Sequence, residues 1–142
     1  FGVVPKKYIS KTAVKSSATK IVPKNSLAII TRVGVGKLAV IPYSYATSQD
    51  FLSLSKLNAD MQFVAYLLYK KLQSELNSVQ GTSIKGITKD ELLAKIVALP
   101  ARKEQEAIGT FLRTLDRLLT LQQQSLEKLK TLKKAFLEKM FV

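Results

Sequence analysis

The C-terminal part of the chain, from Lys103 to the last residue, contains no proline and a single glycine, Gly109. Apolar side chains recur along it with the heptad spacing of a helix that packs against another helix. The pattern predicts one amphipathic helix of roughly 40 residues, about 60 Å long at about 1.5 Å per residue. A compact domain of roughly 100 residues is too small to cover a helix of that length.

The apolar face of this helix therefore needs a partner helix, from a second copy or from another subunit. We expect the partner to cover Ile108, Phe111, Leu112, Leu115, Leu118, Leu119, Gln122, Leu126, Leu129, Leu132 and Phe136. Within that face, the polar side chains of Gln122 and Ser125 could fix the register of the pair at some cost in stability. The alternative is a helix that folds back on its own domain.

The charge of the chain is unevenly distributed. Its 142 residues include 23 Lys and Arg against 10 Asp and Glu, a net charge of +13, yet residues 1–49 contain no acidic residue at all. A basic segment with interleaved tyrosines, here Tyr8, Tyr43 and Tyr45, is typical of proteins that bind nucleic acid phosphates. The alternatives are a solvated surface, an anionic membrane or an acidic protein.

The chain contains no cysteine and no histidine. Their absence excludes disulfide scaffolds, zinc sites built from Cys and His, and serine or cysteine nucleophiles paired with histidine. The sequence also lacks a signal-peptide pattern and an apolar run long enough to span a bilayer. We therefore expect a soluble, intracellular protein.

The spacing of apolar residues predicts several shorter elements. Two apolar runs, Ser26–Arg32 and Lys37–Tyr43, flank a glycine-containing turn and predict a strand pair. Asp60–Leu76 has apolar residues at helical spacing and predicts a helix. Thr88–Glu91 matches a capping box and predicts the start of a short helix, whereas Ala94–Leu99 is typical of a returning strand. A mixed α/β domain should therefore precede the long helix.

Two polar loops could contact phosphate. The segment Val33–Lys37 has the Gly-Lys pair of a P-loop motif but lacks its first glycine and its final Ser or Thr, where Thr31 and Leu38 stand. A hairpin turn is therefore the better interpretation, with Arg32 and Lys37 able to reach phosphates or a guanine edge. The loop Gln80–Lys85 offers hydroxyl, backbone N–H and ammonium donors, and could equally be an ordinary connector. The acidic residues form no recognisable metal-binding motif, which argues against a nuclease site.

Several motifs in the second half of the chain occur in a fixed order: a Gly-Thr-Ser-Ile-Lys-Gly-Ile loop, Leu-Pro before a Glu-Gln helix entry, and a long helix with a Lys/Phe-rich end. They lie at residues 81–87, 99–100, 104–109, 111–119 and 133–141. Together they resemble the type I restriction-modification specificity subunit. Residues 30–40 and 46–51 are similar to the target-recognition domain of the same family.

The resemblance implies a protein of two repeats, each a target-recognition domain followed by a helix. The two domains would read the halves of a bipartite DNA sequence, and the helices would pair as an antiparallel spacer. The chemistry would belong to other chains: modification subunits that use S-adenosylmethionine, and restriction subunits that use ATP and Mg2+. We expect this chain to supply one repeat and to begin inside its recognition domain, as a half-subunit, a C-terminal fragment or an ordered part of a longer chain.

We therefore expect residues 1–99 to form the target-recognition domain and residues 100–142 the spacer and dimerisation helix. The domain would bind double-stranded DNA in a cytoplasmic complex, without catalysis and without a cofactor or metal of its own. Its candidate DNA-contacting residues are Lys6, Lys7, Lys11, Arg32, Lys37, Tyr43, Tyr45, Gln49, Thr82, Ser83 and Lys85. The implied partners are modification subunits, a restriction subunit and a second specificity half, which could be a second copy. The alternative function is a basic coiled-coil adaptor that binds DNA without sequence preference.

Overall fold

A computed structural model describes residues 3–5, 7–32, 34–78 and 86–141 of the chain. The chain divides into two compact units, residues 1–110 and residues 111–142. Its elements are α1 (Lys11–Lys15), β1 (Lys20–Val22), β2 (Ser26–Ile30), β3 (Leu38–Ile41), β4 (Tyr45–Thr47), β5 (Phe51–Leu54), α2 (Met61–Ser78), α3 (Lys89–Leu93) and α4 (Arg102–Met140). This architecture confirms the mixed α/β class followed by a long helix.

The five strands form two small antiparallel sheets in the first unit. One has the order β3-β2-β5, and the other contains only β1 and β4. The predicted strand pair is the β2–β3 hairpin, in which Ser26 lies opposite Ile41. Its turn needs glycine for two reasons: Gly34 and Gly36 have φ angles of +83° and +82°, and a Cβ on Gly36 would lie 2.6 Å from Leu76 Cδ1.

The predicted central helix is confirmed as α2, which packs against β2 and β3. The Asp60 side chain caps it, since Oδ1 accepts a hydrogen bond from the Phe63 N–H at 2.8 Å. The buried core between helix and sheet includes Leu27, Ile29, Val40, Phe63, Val64, Ala65, Leu68, Leu72 and Leu92. The capping box is also confirmed: Thr88 and Glu91 bond reciprocally at the start of α3.

The predicted strand at Ala94–Leu99 is wrong, because these residues form no ladder with any described strand. The Ala94 N–H instead closes α3 by donating to the Asp90 carbonyl. The next residues run beside α2, where Lys95 pairs with Glu75 and Lys71 donates to the Ile96 carbonyl. The apolar composition of this segment therefore does not place it in either sheet, and Ile96 is 89% exposed.

The first turns of α4 are built into the first unit. Gln105 is 5% exposed, its Oε1 accepts from the Asp60 N–H at 2.9 Å, and its Nε2 donates to the Pro100 carbonyl at 2.8 Å. Gly109 is also buried, because α2 begins directly against it. A Cβ on Gly109 would lie 2.6 Å from Asp60 Oδ1 and 3.0 Å from the Phe63 nitrogen. No side chain fits at this position without movement of the α2 N-terminus.

The remainder of α4 continues the same helix through the second unit. Its 39 residues give a length of about 58 Å, so the predicted single long helix is confirmed. From Phe111 to Phe141 every side chain is exposed except Leu112 and Asp116, which are half-buried.

Gly109→Ala tests the close approach of α2 and α4. Alanine is better than glycine in a helix by roughly 1 kcal/mol, but the overpacked contact should cost more, giving a net destabilisation of about 1–2 kcal/mol. Urea unfolding followed by tyrosine fluorescence measures this, because all five tyrosines precede residue 70 and report on the first unit. Gln123→Ala, at an exposed position of the same helix, should stay within about 0.5 kcal/mol of the parent. Equal stability of the Gly109 variant and the parent would contradict the tight contact.

Candidate nucleic-acid interface

A groove of about 1010 Å³ opens in the first unit between the N-terminal segment with α1 and strands β1 and β4. Four of the predicted DNA-contacting residues line it together: Lys7, Lys11, Tyr43 and Tyr45. Its floor is apolar, with aliphatic side chains such as Ile21 and Ile41. Among the described residues that line it, none is acidic. The groove therefore combines positive charge and aromatic rings around an apolar base.

Hydrogen bonds hold the lysine-bearing wall in place. The Tyr43 hydroxyl donates to the Val3 carbonyl at 2.8 Å and ties the N-terminal segment to the end of β3. Farther along, Ser10 caps α1 by accepting from the Ala13 N–H at 3.1 Å. The Tyr43 hydroxyl thus anchors the start of the segment that leads to Lys7, and its proton is already donated to Val3, so it does not donate to a phosphate.

Tyr45 connects the two sheets. Its hydroxyl bonds the Ser53 hydroxyl at 2.9 Å, which joins β4 of the small sheet to β5 of the larger one. Burial raises the pKa of the Tyr45 phenol above its usual value of 10.0, and the hydrogen bond with Ser53 offsets a part of that rise. Tyr45 is therefore a neutral phenol at physiological pH and stays half-buried at the groove.

The groove also contains residues that were not among the candidate DNA-contacting residues. Tyr8 and Lys15 line it, and the Tyr8 side chain is 88% exposed, as is suitable for stacking against a base or sugar. Thr19 and Thr47 add hydroxyls. Lys15 follows Lys11 by one helical turn, which places both side chains on one side of α1. This spacing is the signal in the sequence that could have indicated Lys15.

Three other predicted contacts lie outside the groove. Arg32 follows β2, and its Nη1 lies 3.5 Å from Asp50 Oδ1. Lys37 precedes β3, and its side chain passes over the turn, with Nζ 3.9 Å from the place that a Cβ on Gly34 would take. Gln49 is exposed in the connection between β4 and β5. The four remaining predicted contacts, Lys6, Thr82, Ser83 and Lys85, lie outside the described residues.

The predicted partner face of α4 is exposed along its length. Phe111, Leu115, Leu118, Leu119, Gln122, Leu126, Leu129, Leu132 and Phe136 are all exposed, and Leu112 is half-buried. Ile108 lies differently, because it packs against the core of the first unit instead of facing solvent with the others. Pairing across the exposed residues stays a prediction.

Comparison with known proteins identifies the family. Residues 4–131 match the family described as the type I restriction modification DNA specificity domain. The chain belongs to this family. The match includes the groove, the β2–β3 turn and most of α4, and thus extends over most of the chain.

Two curated relatives come from Methanocaldococcus jannaschii. The type I restriction enzyme MjaIX specificity subunit is 28% identical over 114 residues, which are 78% of this chain and 26% of that protein. The putative type I restriction enzyme MjaX specificity subunit is 26% identical over 118 residues, 81% of this chain and 28% of that protein. The chain therefore spans about a quarter of the length of the specificity subunits it matches.

A solved structure shares the fold of this specificity domain. The structure, described as the basis of complex assembly and conformational transition of the type I R-M system, contains a chain that superposes with a TM-score of 0.66 at 23% identity. The superposition covers 87% of this chain and 32% of the other. The combination of two small sheets with a long C-terminal helix is thus a known arrangement.

Two further properties concern the described part of the specificity domain. No helix there is both long enough and apolar enough to cross a membrane. Within the same residues, no group of three or more acidic side chains could hold a metal ion.

Titration of Tyr45 tests the geometry at the junction of the sheets. Removing the hydrogen bond by Ser53→Ala should raise the Tyr45 pKa further, since the Ser53 contact lowers it. The pKa of Tyr45 is higher in the folded than in the unfolded chain. The contribution of the neutral phenol to the free energy of unfolding is therefore fully present below about pH 10 and is lost as the pH rises through the pKa of the folded state. Tyrosinate absorbance of the parent, Ser53→Ala and Tyr45→Phe measures the shift. A lower pKa in Ser53→Ala would contradict the assignment.

Proposed function

We propose that this chain recognises one half of a bipartite DNA target within a type I restriction-modification complex. The observation that carries the proposal is the groove in the first unit, where Lys7, Lys11, Lys15 and Tyr8 surround an apolar floor. Ammonium groups of this kind bind phosphates of any sequence and release counterions, which supplies affinity. The chain belongs to a family of DNA specificity domains, and this membership supports double-stranded DNA as the ligand of the groove.

Phosphate contact and base recognition would use different residues. The lysines of the groove would fix the position of the duplex, because phosphate contacts carry no sequence information. Arg32 and Lys37 flank the β2–β3 turn, and Gln49 lies in the connection between β4 and β5; the side chains of all three carry hydrogen-bonding groups of the kind that read base edges in the major groove. Thr82, Ser83 and Lys85 remain proposed contacts.

The exposed face of α4 would pair with a second helix. It carries exposed apolar side chains from Phe111 to Phe136, a distance of more than six helical turns. Such a face is typical of a helix whose partner belongs to another chain or repeat. The partner would come from a second specificity half, which could be a second copy of this chain, and the paired helices would space the two half-sites.

The chemistry of the complex would reside in its other subunits. Modification subunits would bring S-adenosylmethionine, and a restriction subunit would bring ATP and Mg2+. The chain itself would act without catalysis or cofactor, as a scaffold on which these subunits assemble in the cytoplasm. Its shortage of nucleophile–base pairs, with no cysteine and no histidine, supports this division of labour.

Two measurements test sequence recognition. Duplexes recovered by the full chain from a randomised library should be enriched for one short motif, and methylation mapping of a genome carrying the complex should give a bipartite motif that contains it. Equal recovery of all duplexes would favour a basic coiled-coil adaptor without sequence preference. Cleavage of DNA by this chain alone with Mg2+ would contradict the noncatalytic role.

Replacing the three lysines of the groove separates phosphate contact from base recognition. The triple variant Lys7→Ala, Lys11→Ala, Lys15→Ala should weaken binding to all duplexes by a similar factor. The slope of log affinity against log salt should fall by up to about 3, since each phosphate contact adds about 0.9. Fluorescence anisotropy at several salt concentrations measures both effects.

A matched triple variant controls for charge alone. Lys70, Lys103 and Lys134 are exposed and do not line the groove, so replacing all three by alanine removes the same charge elsewhere. The control should keep the parent salt slope. If both triple variants lower the slope equally, the groove is not the phosphate-binding surface.

Charge placed on the α4 face tests helix pairing. Leu115→Lys with Leu118→Lys puts two ammonium groups into the proposed contact, so an assembly held by this face should dissociate to monomers in sedimentation velocity. Gln123→Lys with Gln124→Lys adds the same charge to α4 outside the predicted partner face and should leave the assembly intact. Association that survives the leucine substitutions would exclude this face. A parent chain that is monomeric at every concentration would assign the face to a different partner.

A further inference from the structure

Arg32 and Asp50 form an unusual pair for this chain. Arg32 is the only arginine before Arg102, and Asp50 is the only acidic residue before Asp60. The two lie against each other, with Arg32 Nη1 3.5 Å from Asp50 Oδ1. Their side chains are 58% and 49% exposed, so the pair remains accessible to a ligand.

The backbone holds both partners at this distance. Thr31, the residue before Arg32, donates its N–H to the Asp50 carbonyl at 2.9 Å and its hydroxyl to the same carbonyl at 3.0 Å. Thr31 is buried, so these bonds are protected from water. Arg32 and Asp50 therefore extend from two strands that are locked together at the adjacent backbone atoms.

The Asp50 carboxylate is oriented as well. The Ser48 hydroxyl bonds Asp50 Oδ2 at 3.3 Å and also accepts from the Asp50 N–H at 3.3 Å. This arrangement directs the other carboxylate oxygen, Oδ1, to Arg32. A carboxylate held in this way limits the directions that the guanidinium can take.

The described backbone that resumes at Gly86 approaches the same place. The Ile87 N–H donates to the Thr31 carbonyl at 3.0 Å, and a Cβ on Gly86 would lie 2.8 Å from that carbonyl oxygen. This backbone is thus pressed against the residue next to Arg32.

An acidic partner is a disadvantage for a phosphate contact. A carboxylate beside Arg32 cancels much of its charge toward a phosphate and is itself repelled by the DNA backbone. Exposed ion pairs also add only about 0–1 kcal/mol to stability, so folding gains little from this one. The effect that remains is directional: a fixed guanidinium presents two parallel N–H groups, as bidentate contact with the O6 and N7 atoms of guanine requires.

We propose that Asp50 positions Arg32 to read a guanine in the major groove, so that the half-site recognised by this chain contains a G·C pair at one position that depends on both residues. The inference rests on the proposed function, because it assigns the base-reading residue within the DNA interface. Arg32 contacts the base, and Asp50 acts through Arg32.

Sequence preferences of variants test the pair. Recovery of duplexes from a randomised library by the full chain should show one position at which Arg32→Ala lowers the preference for guanine by roughly 5- to 150-fold. Asp50→Ala should lower the preference at the same position several-fold, because the guanidinium loses its fixed direction. The double variant of Arg32→Ala and Asp50→Ala should lose no more than Arg32→Ala alone, which would show that the two residues act together.

Two controls accompany these variants. Glu106→Gln removes one exposed acid from another arginine pair, with Arg102, and should leave all base preferences unchanged. Asp50→Asn removes the charge but keeps the size of the side chain, so it controls for a local distortion caused by Asp50→Ala. It should also lower the guanine preference at the same position, to a smaller extent than Asp50→Ala. Tyrosine fluorescence during urea unfolding verifies that each variant is folded.

The outcomes distinguish this inference from the proposed function. If Asp50→Ala and Asp50→Asn strengthen binding to all duplexes equally and steepen the salt slope, Arg32 is a phosphate contact and the inference is overturned. Unchanged preferences in every variant of the pair overturn it too, while selectivity of the parent still supports the proposed function. A parent chain that recovers all duplexes equally refutes the proposed function itself.

Discussion

The buried side-chain amide of Gln105 connects the start of α4 with the start of α2 and with Pro100. The other elements of the first unit are positioned by this connection. The amide accepts from the backbone where α2 begins and donates to the Pro100 carbonyl before α4. An unmade hydrogen bond in this buried place would cost about 1–3 kcal/mol, so both contacts are needed at once. Gly109, one turn later, lets the α2 N-terminus approach without a side chain between them. The start of α4 is therefore a part of the domain core, and α2 is fixed over the sheet that carries the β2–β3 turn.

Elements with a strong local pattern could be predicted from the sequence, and elements held by distant contacts could not. The helix of Asp60–Leu76, the capping box at Thr88 and the long C-terminal helix each depend on neighbours three or four residues apart. The strands β1, β4 and β5 have three or four residues each and pair with segments far along the chain. Ala94–Leu99 has the composition of a strand, but its polar contacts lie along α2. Composition alone does not distinguish these cases.

The candidate site, like the fold, could be predicted from the sequence only in part. Charge and aromatic content indicated Lys7, Lys11, Tyr43 and Tyr45, and the structure brings them to one groove. The sequence did not indicate that the Tyr43 hydroxyl would bond the Val3 carbonyl, 40 residues away, or that Asp50 would lie beside Arg32. Residue types reveal which groups can bind DNA. Which of them are committed to internal contacts follows only from the tertiary structure.

Affinity and selectivity make opposite demands on positive charge, and in the proposed interface they would be met at different places. Uncompensated charge strengthens contact with every duplex, so it serves affinity and adds nothing to discrimination. The groove lysines lie in a segment without acids, whereas the Arg32 charge is locally compensated by Asp50. A compensated guanidinium gains little from a phosphate but keeps its donors for a base edge. The Tyr45–Ser53 bond ties the sheet at the groove to the sheet that precedes Arg32. A duplex held by the lysines would therefore meet Arg32, the proposed base-reading residue, in a defined register.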